Sequence, residues 1–528
     1  MIIINDQFKG GKRYRGREII SVICKIVLSV SHVFRILRRH FHQSYSDFSK
    51  RLKKLRNSTC KMLIPVRICA SFQLGLSGKY TCIREMLSVF RLYHNVAEKA
   101  VKRRLRVTPD NDLIDASLKI EADNIKPLEN VTLYSEMHEG GFKFGAYSYF
   151  VTGPDGTLDL TRDPSVGGSY VGVHPHGLLW GMEPLPGQRP GIRFMKKDVT
   201  TPLDINFKMF SDHVAYEDIF NEKPSLIPLG NADIKRWYKS ANVERTVIRT
   251  GRIRGTFFRP VGTGPFPAAI DIYGTNGGCV EHRSALLASR GIASLALAYF
   301  DYEDLHSKVD QLDMNYFIEA VDWLQEQQDV DSRNGIGVVG LSKGAEIALM
   351  MTEVCSDITA VVAINPFTHT LFWPTLIGGH IRPGNPIKLA KDFTEGSPFC
   401  YKNNAIYPDC DVDDDNRSLI QVEKSDTANF LLIVGQYDLI YHPKSSFNLV
   451  KRLRKHGRQN YELLMCPGAG HLLELPHTPV TRYCYFKFLG NVVDYGGEKT
   501  LHAKAQENSW NRMLKFLKSK LRNEKETR

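Results

Sequence analysis

The sequence predicts an α/β protein, a parallel sheet flanked by helices, preceded by a small antiparallel β-sandwich. Three observations predict it. From about Val243 onward, short apolar runs alternate with helical segments, which is the rhythm of βαβ units. Within that stretch Gly340-Leu341-Ser342-Lys343-Gly344 falls between an apolar run and a helical one. Before Val243 the chain shows runs of alternating polarity separated by turn signals, as an antiparallel sandwich requires.

The sandwich elements come first. Residues 131–136 and 144–151 alternate, and Gly153-Pro154-Asp155-Gly156 marks a turn after them. Residues 192–195 and 203–209 alternate again and predict two more strands. In the α/β part, 268–273 and Ala293–Ala298 are β-rich, with a helix over 280–290 between them. A helix over 314–326 carries Phe317, Val321 and Leu324 on one face. Residues 336–339 predict a strand and 345–351 a helix, with the glycine-rich turn between them. Strands follow at 359–364, 431–435 and Tyr461–Cys466, then a terminal helix at 508–521. Residues 366–427, rich in Pro, Gly and Asp, break the rhythm and are long enough to carry a cap over a site. The expected division is a basic extension over 1–106, the sandwich over 107–242 and the α/β domain over 243–528.

Strand, G-x-S-x-G, helix is the nucleophile elbow of an α/β-hydrolase. The sharp turn lifts Ser342 above the sheet, so only small residues fit two positions either side of it. That fold requires an acid and then a histidine downstream, each leaving the carboxyl end of a strand. Asp438 follows the 431–435 strand, and His471 follows Tyr461–Cys466 through Pro467-Gly468-Ala469-Gly470. Singly, Asp438 reads as a turn residue and His471 as a loop histidine; the shared order and placement favour a catalytic triad. Asp411, Asp414 and His442 are the rivals, and His442 lies too close to Asp438 to come from a separate loop. Gly274-Thr275-Asn276-Gly277-Gly278 follows the 268–273 strand, where such a fold supplies the second oxyanion-hole N–H. The expected backbone donors are Lys343, directly after the nucleophile, and Thr275, Asn276 or Gly277.

Charge is unevenly spread. The 528 residues hold 70 Lys+Arg and 57 Asp+Glu, yet residues 1–106 hold 24 basic and 5 acidic ones, a net of +19 against −6 for the remainder. The basic balance therefore belongs to the extension and does not argue for nucleic-acid binding by the rest. Residues 19–34 are apolar but short for a membrane span and interrupted by Lys25. No stable span is expected. Residues 86–106, Arg-rich with Glu98 as their only acid, read as a mitochondrial transit peptide; for the residues before them a disordered tail or an over-long gene model reads as well as any function. No peroxisomal tripeptide ends the chain, so mitochondrial or cytoplasmic residence is the expectation. The ten Cys show no metal spacing and read as packing residues. His174 and His176 form an H-x-H pair without an evident third ligand, His213 being remote, so packing is the preferred reading for all three and no metal or cofactor is expected.

These residues together resemble the type I acyl-CoA thioesterase and bile acid-CoA:amino acid N-acyltransferase family. The resemblance covers roughly 107–521. It rests on 167–172, 177–184 and 197–202 in the first domain. In the second it rests on 254–260, 265–267, 297–305, the elbow, 434–438, Gly470-His471, Gly496-Gly497, His502-Ala503 and Gln506. One departure is Tyr437, where many relatives carry an acid. The resemblance implies a fatty acyl-CoA substrate and a Ser/Cys-Asp-His triad. Members resembling the N-acyltransferase carry Cys at the nucleophile position; Ser342 implies hydrolysis, because an acyl-Ser is an oxygen ester that reacts poorly with amines. Transfer to glycine or taurine and a simple carboxylesterase activity on the same fold are the alternatives.

Overall fold

Strands buried on both faces must be largely apolar, and the five central runs of this chain are; the buried Asp271 within one of them is matched by Arg283 at 2.7 Å. The computed structural model describes residues 104–385, 400–401, 416–487 and 490–522. Its main sheet is formed by β1 (Val243–Thr250), β2 (Ile253–Pro260), β3 (Phe266–Ile272), β4 (Ala293–Ala298), β5 (Ile336–Leu341), β6 (Ile358–Ile364), β7 (Asn429–Gly435) and β8 (Tyr461–Cys466). The order is β1-β2-β4-β3-β5-β6-β7-β8, with the short Val330–Asp331 strand pairing beside β3. β2 runs antiparallel to β1 and β4; from β4 to β8 every pair is parallel. Every residue of β4 and β5 is buried.

The connections are α1 (His282–Ser289), α2 (Met314–Gln325), α3 (Lys343–Met351), α4 (Lys444–Lys455) and α5 (Lys499–Leu521). α2 starts where Asp313 accepts a hydrogen bond from the Asn315 N–H at 3.0 Å, and it buries Phe317, Val321 and Leu324. α5 begins nine residues before the predicted 508, because Glu498 caps it by accepting from the Thr500 and Leu501 N–H groups. The α2, α3 and α4 residues Phe317, Ile347 and Leu449 share one apolar cluster. Leu286 of α1 and Phe516 of α5 belong to another, which is continuous with the sandwich core. This is the layered α/β-hydrolase architecture behind a β-sandwich that the sequence predicts.

The sandwich has a three-stranded sheet (Arg104–Thr108, Lys119–Asp123, Leu158–Asp159) and a larger sheet centred on Asn130–Glu139, Phe142–Val151, Leu203–Ser211 and Gly230–Trp237. Pairing is antiparallel except where Gly230–Trp237 meets Asn111–Leu113. Arg104, Leu105 and Arg106, counted above with the extension, are part of a sandwich strand, with Leu105 in the core. Asp115 clasps the two parts, accepting from Arg290, directly after α1, at 2.7 Å and from the Trp510 indole of α5 at 2.9 Å.

The expected strand at 192–195 is not one. Those residues pair with no neighbour. Their alternation has another origin: Ile192 and Phe194 are buried in the apolar core, while Arg193 and Met195 are half-buried, and Ile192, Arg193 and Met195 all line a cavity. The rest of the extension, with residues 86–103 of the transit-peptide reading, Asp411, Asp414 and much of 366–427 lie outside the described residues, while Arg104–Arg106 belong to the sandwich and not to a leader. No helix among the described residues is long and apolar enough to cross a membrane.

Candidate active site

Ser342 sits between β5 and α3 at φ 57°, ψ −120°, a left-handed conformation that a non-glycine residue holds only under constraint. The constraint is local. A Cβ on Gly340 would stand 2.2 Å from the Gly344 carbonyl oxygen, and one on Gly344 would stand 2.1 Å from that of Ile272. The Ser342 N–H is spent on the Ile364 carbonyl of β6 at 2.9 Å, which fixes the turn to the sheet. Beneath it the Lys343 side chain is wholly buried, donating to the Leu371 carbonyl at 2.6 Å and to Glu346. Burial pushes Glu346 up to about 6 and Lys343 down, and the attraction between the two opposes both shifts.

Asp438 leaves β7 and is 3 % exposed. Its Oδ1 accepts from the Ile440 and Tyr441 N–H groups at 2.7 and 2.9 Å, and its Oδ2 lies 2.7 Å from His471 Nδ1. The loop that carries His471 is held on three sides. Its N–H donates to Tyr495, its carbonyl accepts from Asn365 Nδ2 at 2.7 Å, and Gly470 N–H donates to His502 Nδ1 at 3.0 Å. Asn365 also accepts from the Gly435 N–H, so one side chain ties the exits of β6, β7 and β8 together. Gly470 and Gly496 are required here: a Cβ on Gly470 would meet the Gly496 oxygen at 2.3 Å, and one on Gly496 the Tyr437 oxygen at 1.9 Å.

Ser342 and His471 line one cavity of about 490 Å³ together with Gly274, Thr275 and Asn276. Gly274 has its Cβ position 3.3 Å from Ser342 Cβ, which keeps that loop hard against the nucleophile. Gly277 does not line the cavity; its Cβ position lies 2.8 Å from Asp301 Cβ instead. The rival His442 is exposed and accepts from the Lys444 N–H. Tyr437, at the departure noted above, is 56 % exposed.

Two features carry no signature in the sequence. Tyr441 meets His471 edge-on at 4.9 Å between ring centroids; burial pushes its phenol up, and a hydrogen bond with Ser342 opposes that rise. Glu474, three residues after His471, is bonded to Tyr273 at the end of β3, to Arg193 from the sandwich at 3.4 Å, and to His282 of α1 at 3.3 Å. Arg193 also donates to the Tyr273 hydroxyl at 3.1 Å. Burial alone would raise the Glu474 carboxyl; the His282 hydrogen bond and the His282 and Arg193 charges outweigh it and bring it to about 2.

Of the three histidines read as packing residues, His174 packs against Tyr170 and Trp180 and His213 stacks on Tyr149. His176 does find partners the sequence hid. It stacks on His477, and with Glu507 the two rings place three donor atoms within 4.8 Å. The Leu118 N–H donates to His176 Nε2, so the neutral ring carries its proton on Nδ1, which faces Glu507 at 3.5 Å. In that tautomer Nδ1 serves as a donor to the carboxylate rather than as a metal ligand.

Comparison with known proteins matches residues 115–250 to the "Acyl-CoA thioester hydrolase/BAAT N-terminal region" and 312–523 to "BAAT / Acyl-CoA thioester hydrolase C terminal". The mouse bile acid-CoA:amino acid N-acyltransferase is 35% identical, over 79% of this chain and 98% of its own. The chain belongs to the acyl-CoA thioester hydrolase/BAAT family. Mouse acyl-coenzyme A thioesterase 3 is also 35% identical, over 79% of this chain and 93% of its own. Human acyl-coenzyme A thioesterase 2, mitochondrial, is 34% identical, over 76% and 81%. Among solved structures a putative dienelactone hydrolase from Klebsiella pneumoniae matches at 16% identity, over 52% of this chain and 97% of its own, with a TM-score of 0.32, too low to carry an argument. Identity does not separate the two activities named within the family, so the residues around Ser342 have to.

Proposed function

We propose that the protein is an acyl-CoA thioesterase that hydrolyses fatty acyl-CoA to the free acid and CoA through an acyl-Ser342 intermediate. The observation that carries this reading is the 2.7 Å contact of His471 Nδ1 with Asp438, with His471 and Ser342 in one cavity. His471 Nε2 takes the Ser342 proton as Oγ attacks the thioester carbonyl. Asp438 holds the Nδ1–H tautomer and stabilises the imidazolium. The oxyanion is received by the Lys343 N–H and by an N–H of the Thr275–Asn276 loop. The C–S bond breaks, the thiolate leaves with the His471 proton, and a water activated by His471 then hydrolyses the acyl-Ser.

Replacement of Ser342 tests it. Ser342→Ala is expected to lose CoA release by about 10⁴–10⁶-fold with an unchanged melting temperature. A variant that keeps a tenth of the wild-type rate would sink the nucleophile assignment. Transfer to glycine or taurine is the second reading, favoured by relatives at 35% and 36% identity that carry N-acyltransferase names. The oxygen nucleophile disfavours it, because an oxygen ester acylates amines far less readily than a thioester. Ser342→Cys is expected to divert part of the acyl group to glycine or taurine; an unchanged partition would show that amine access decides the outcome. A carboxylesterase on the same fold would prefer simple esters to acyl-CoA of the same chain.

For location we propose mitochondrial import directed by residues 86–103, Arg104–Arg106 belonging to a sandwich strand. The support is their arginine content and a family member named as mitochondrial. Recovery of an uncut cytosolic protein after C-terminal tagging would overturn it.

A further inference from the structure

The cavity that holds Ser342 has an unusual charge. Its lining contains four cationic side chains, Arg189, Arg193, Lys197 and Lys487, and no carboxylate. The rest of the chain gives no reason to expect this, since residues beyond 106 carry a net −6. A neighbouring cavity of about 580 Å³, which shares Arg189 and Arg193 with the first, has mixed charge: Glu183 and Glu498 lie there beside Arg482 and Lys499.

The four cations are not equivalent. Arg193 is committed to Glu474, and Lys487 pairs with Asp301 at 2.8 Å. Arg189 and Lys197 form no ion pair among the described residues. Both are held on one hairpin turn between the strands Asn130–Glu139 and Phe142–Val151. The Arg189 guanidinium lies over the Phe142 ring, 5.5 Å from its centroid. The Lys197 stem packs on Gly140, whose Cβ position is 3.4 Å from Lys197 Cε. Two carboxylates beside Lys197 are already used. Glu139 accepts from the Lys196 ammonium and the Lys197 N–H, and Asp198 accepts from Thr200.

Resting on the thioesterase reading, we propose that Arg189 and Lys197 bind the phosphates of coenzyme A, with Lys487 facing them from the α/β part. The carrier would lie along the sandwich side of the cavity and present its thioester to Ser342. Arginine and lysine beside an anion-free wall suit a ligand with several phosphate charges, and a guanidinium fixed on a ring loses little freedom on binding. Asp301 would release Lys487 to a phosphate, which is the stronger partner at an exposed site.

Calorimetric titration of the full chain with CoA, 3′-dephospho-CoA and pantetheine tests this without relying on turnover. CoA should bind about tenfold tighter than 3′-dephospho-CoA and at least about a hundredfold tighter than pantetheine, with the differences shrinking as salt is raised. Arg189→Gln and Lys197→Gln should each weaken CoA about tenfold and narrow its advantage over pantetheine. Equal binding of all three ligands by the wild type would overturn the proposal, and so would variants that keep the full advantage of CoA. The ligand series needs no variant to fold. Rates for acyl-CoA and acyl-pantetheine then separate the two ideas. Phosphate-dependent CoA binding without thioester cleavage would remove the hydrolase reading alone. Cleavage of both thioesters with equal KM would remove the phosphate site alone.

Discussion

The cavity around Ser342 has two unlike walls. One is built from the exits of parallel strands: Ser342 after β5, Asp438 after β7, His471 after β8. Each is fixed by backbone hydrogen bonds and by glycines that leave no room for a side chain. The other is the segment from Gly191 to Lys197, which belongs to no strand and, apart from the Gly191 carbonyl that accepts from the Tyr485 N–H, is anchored largely through side chains, above all Arg193. The difference teaches where precision is placed. Reacting groups sit on the rigid sheet, while the irregular sandwich wall is free to be shaped to a substrate.

The largest effect is expected where the rigid wall is broken at one atom. Asp438→Asn keeps the shape but turns an amide N–H donor toward His471 Nδ1, the ring nitrogen that must itself carry a proton, which favours the wrong His471 tautomer. The kcat for acyl-CoA should fall by about 10⁴-fold, as in the corresponding change in serine proteases. Melting temperature should change little by comparison, since Oδ1 keeps its two N–H partners. A loss under about tenfold would mean that another group orients His471.

A middle-sized effect should come from the joint between the walls. Arg193→Met leaves Glu474 buried with one cation fewer, and breaking a buried pair in this way costs about 3–5 kcal/mol of stability. Glu474 shares a loop with His471, and Tyr273 precedes the Gly274–Asn276 loop, so kcat/KM should also fall, by about 10–100-fold. Arg193→Lys should recover part of both. A lower melting temperature with unchanged kcat/KM would show that the sandwich wall supports the fold without positioning the catalytic loops.

The same contrast explains what was legible in the sequence. The elbow was legible because close packing at Gly340 and Gly344 forces a local pattern of small residues. Asp438 and His471 were legible because strand exits can be read from short apolar runs. Arg193 and Glu474 lie 281 positions apart and no spacing announces them. The 192–195 segment misled because alternate burial of Ile192 and Phe194 against half-buried Arg193 and Met195 produces the alternation of a strand without its hydrogen bonds. His176, His477 and Glu507 met only through the packing of α5 against the sandwich.

The smallest effect is in acid. Glu474 ionises near 2 in the folded protein, against 4.5 for an ordinary glutamate. A carboxyl depressed to that extent contributes about 3 kcal/mol of folding stability. The sign follows from proton binding: the unfolded chain takes up the proton first as pH falls, so the contribution is complete above about 4.5 and is lost progressively toward 2. Glu474→Gln cannot ionise and lacks this dependence. Urea unfolding at pH 7 and again near pH 2.5 should therefore show the wild type losing more stability than Glu474→Gln over the same interval. Other carboxylates titrate in both proteins and cancel in the difference. If the two curves fall in parallel, the charge on Glu474 is not what holds Arg193 and Tyr273, and the joint between the walls owes its strength to packing alone.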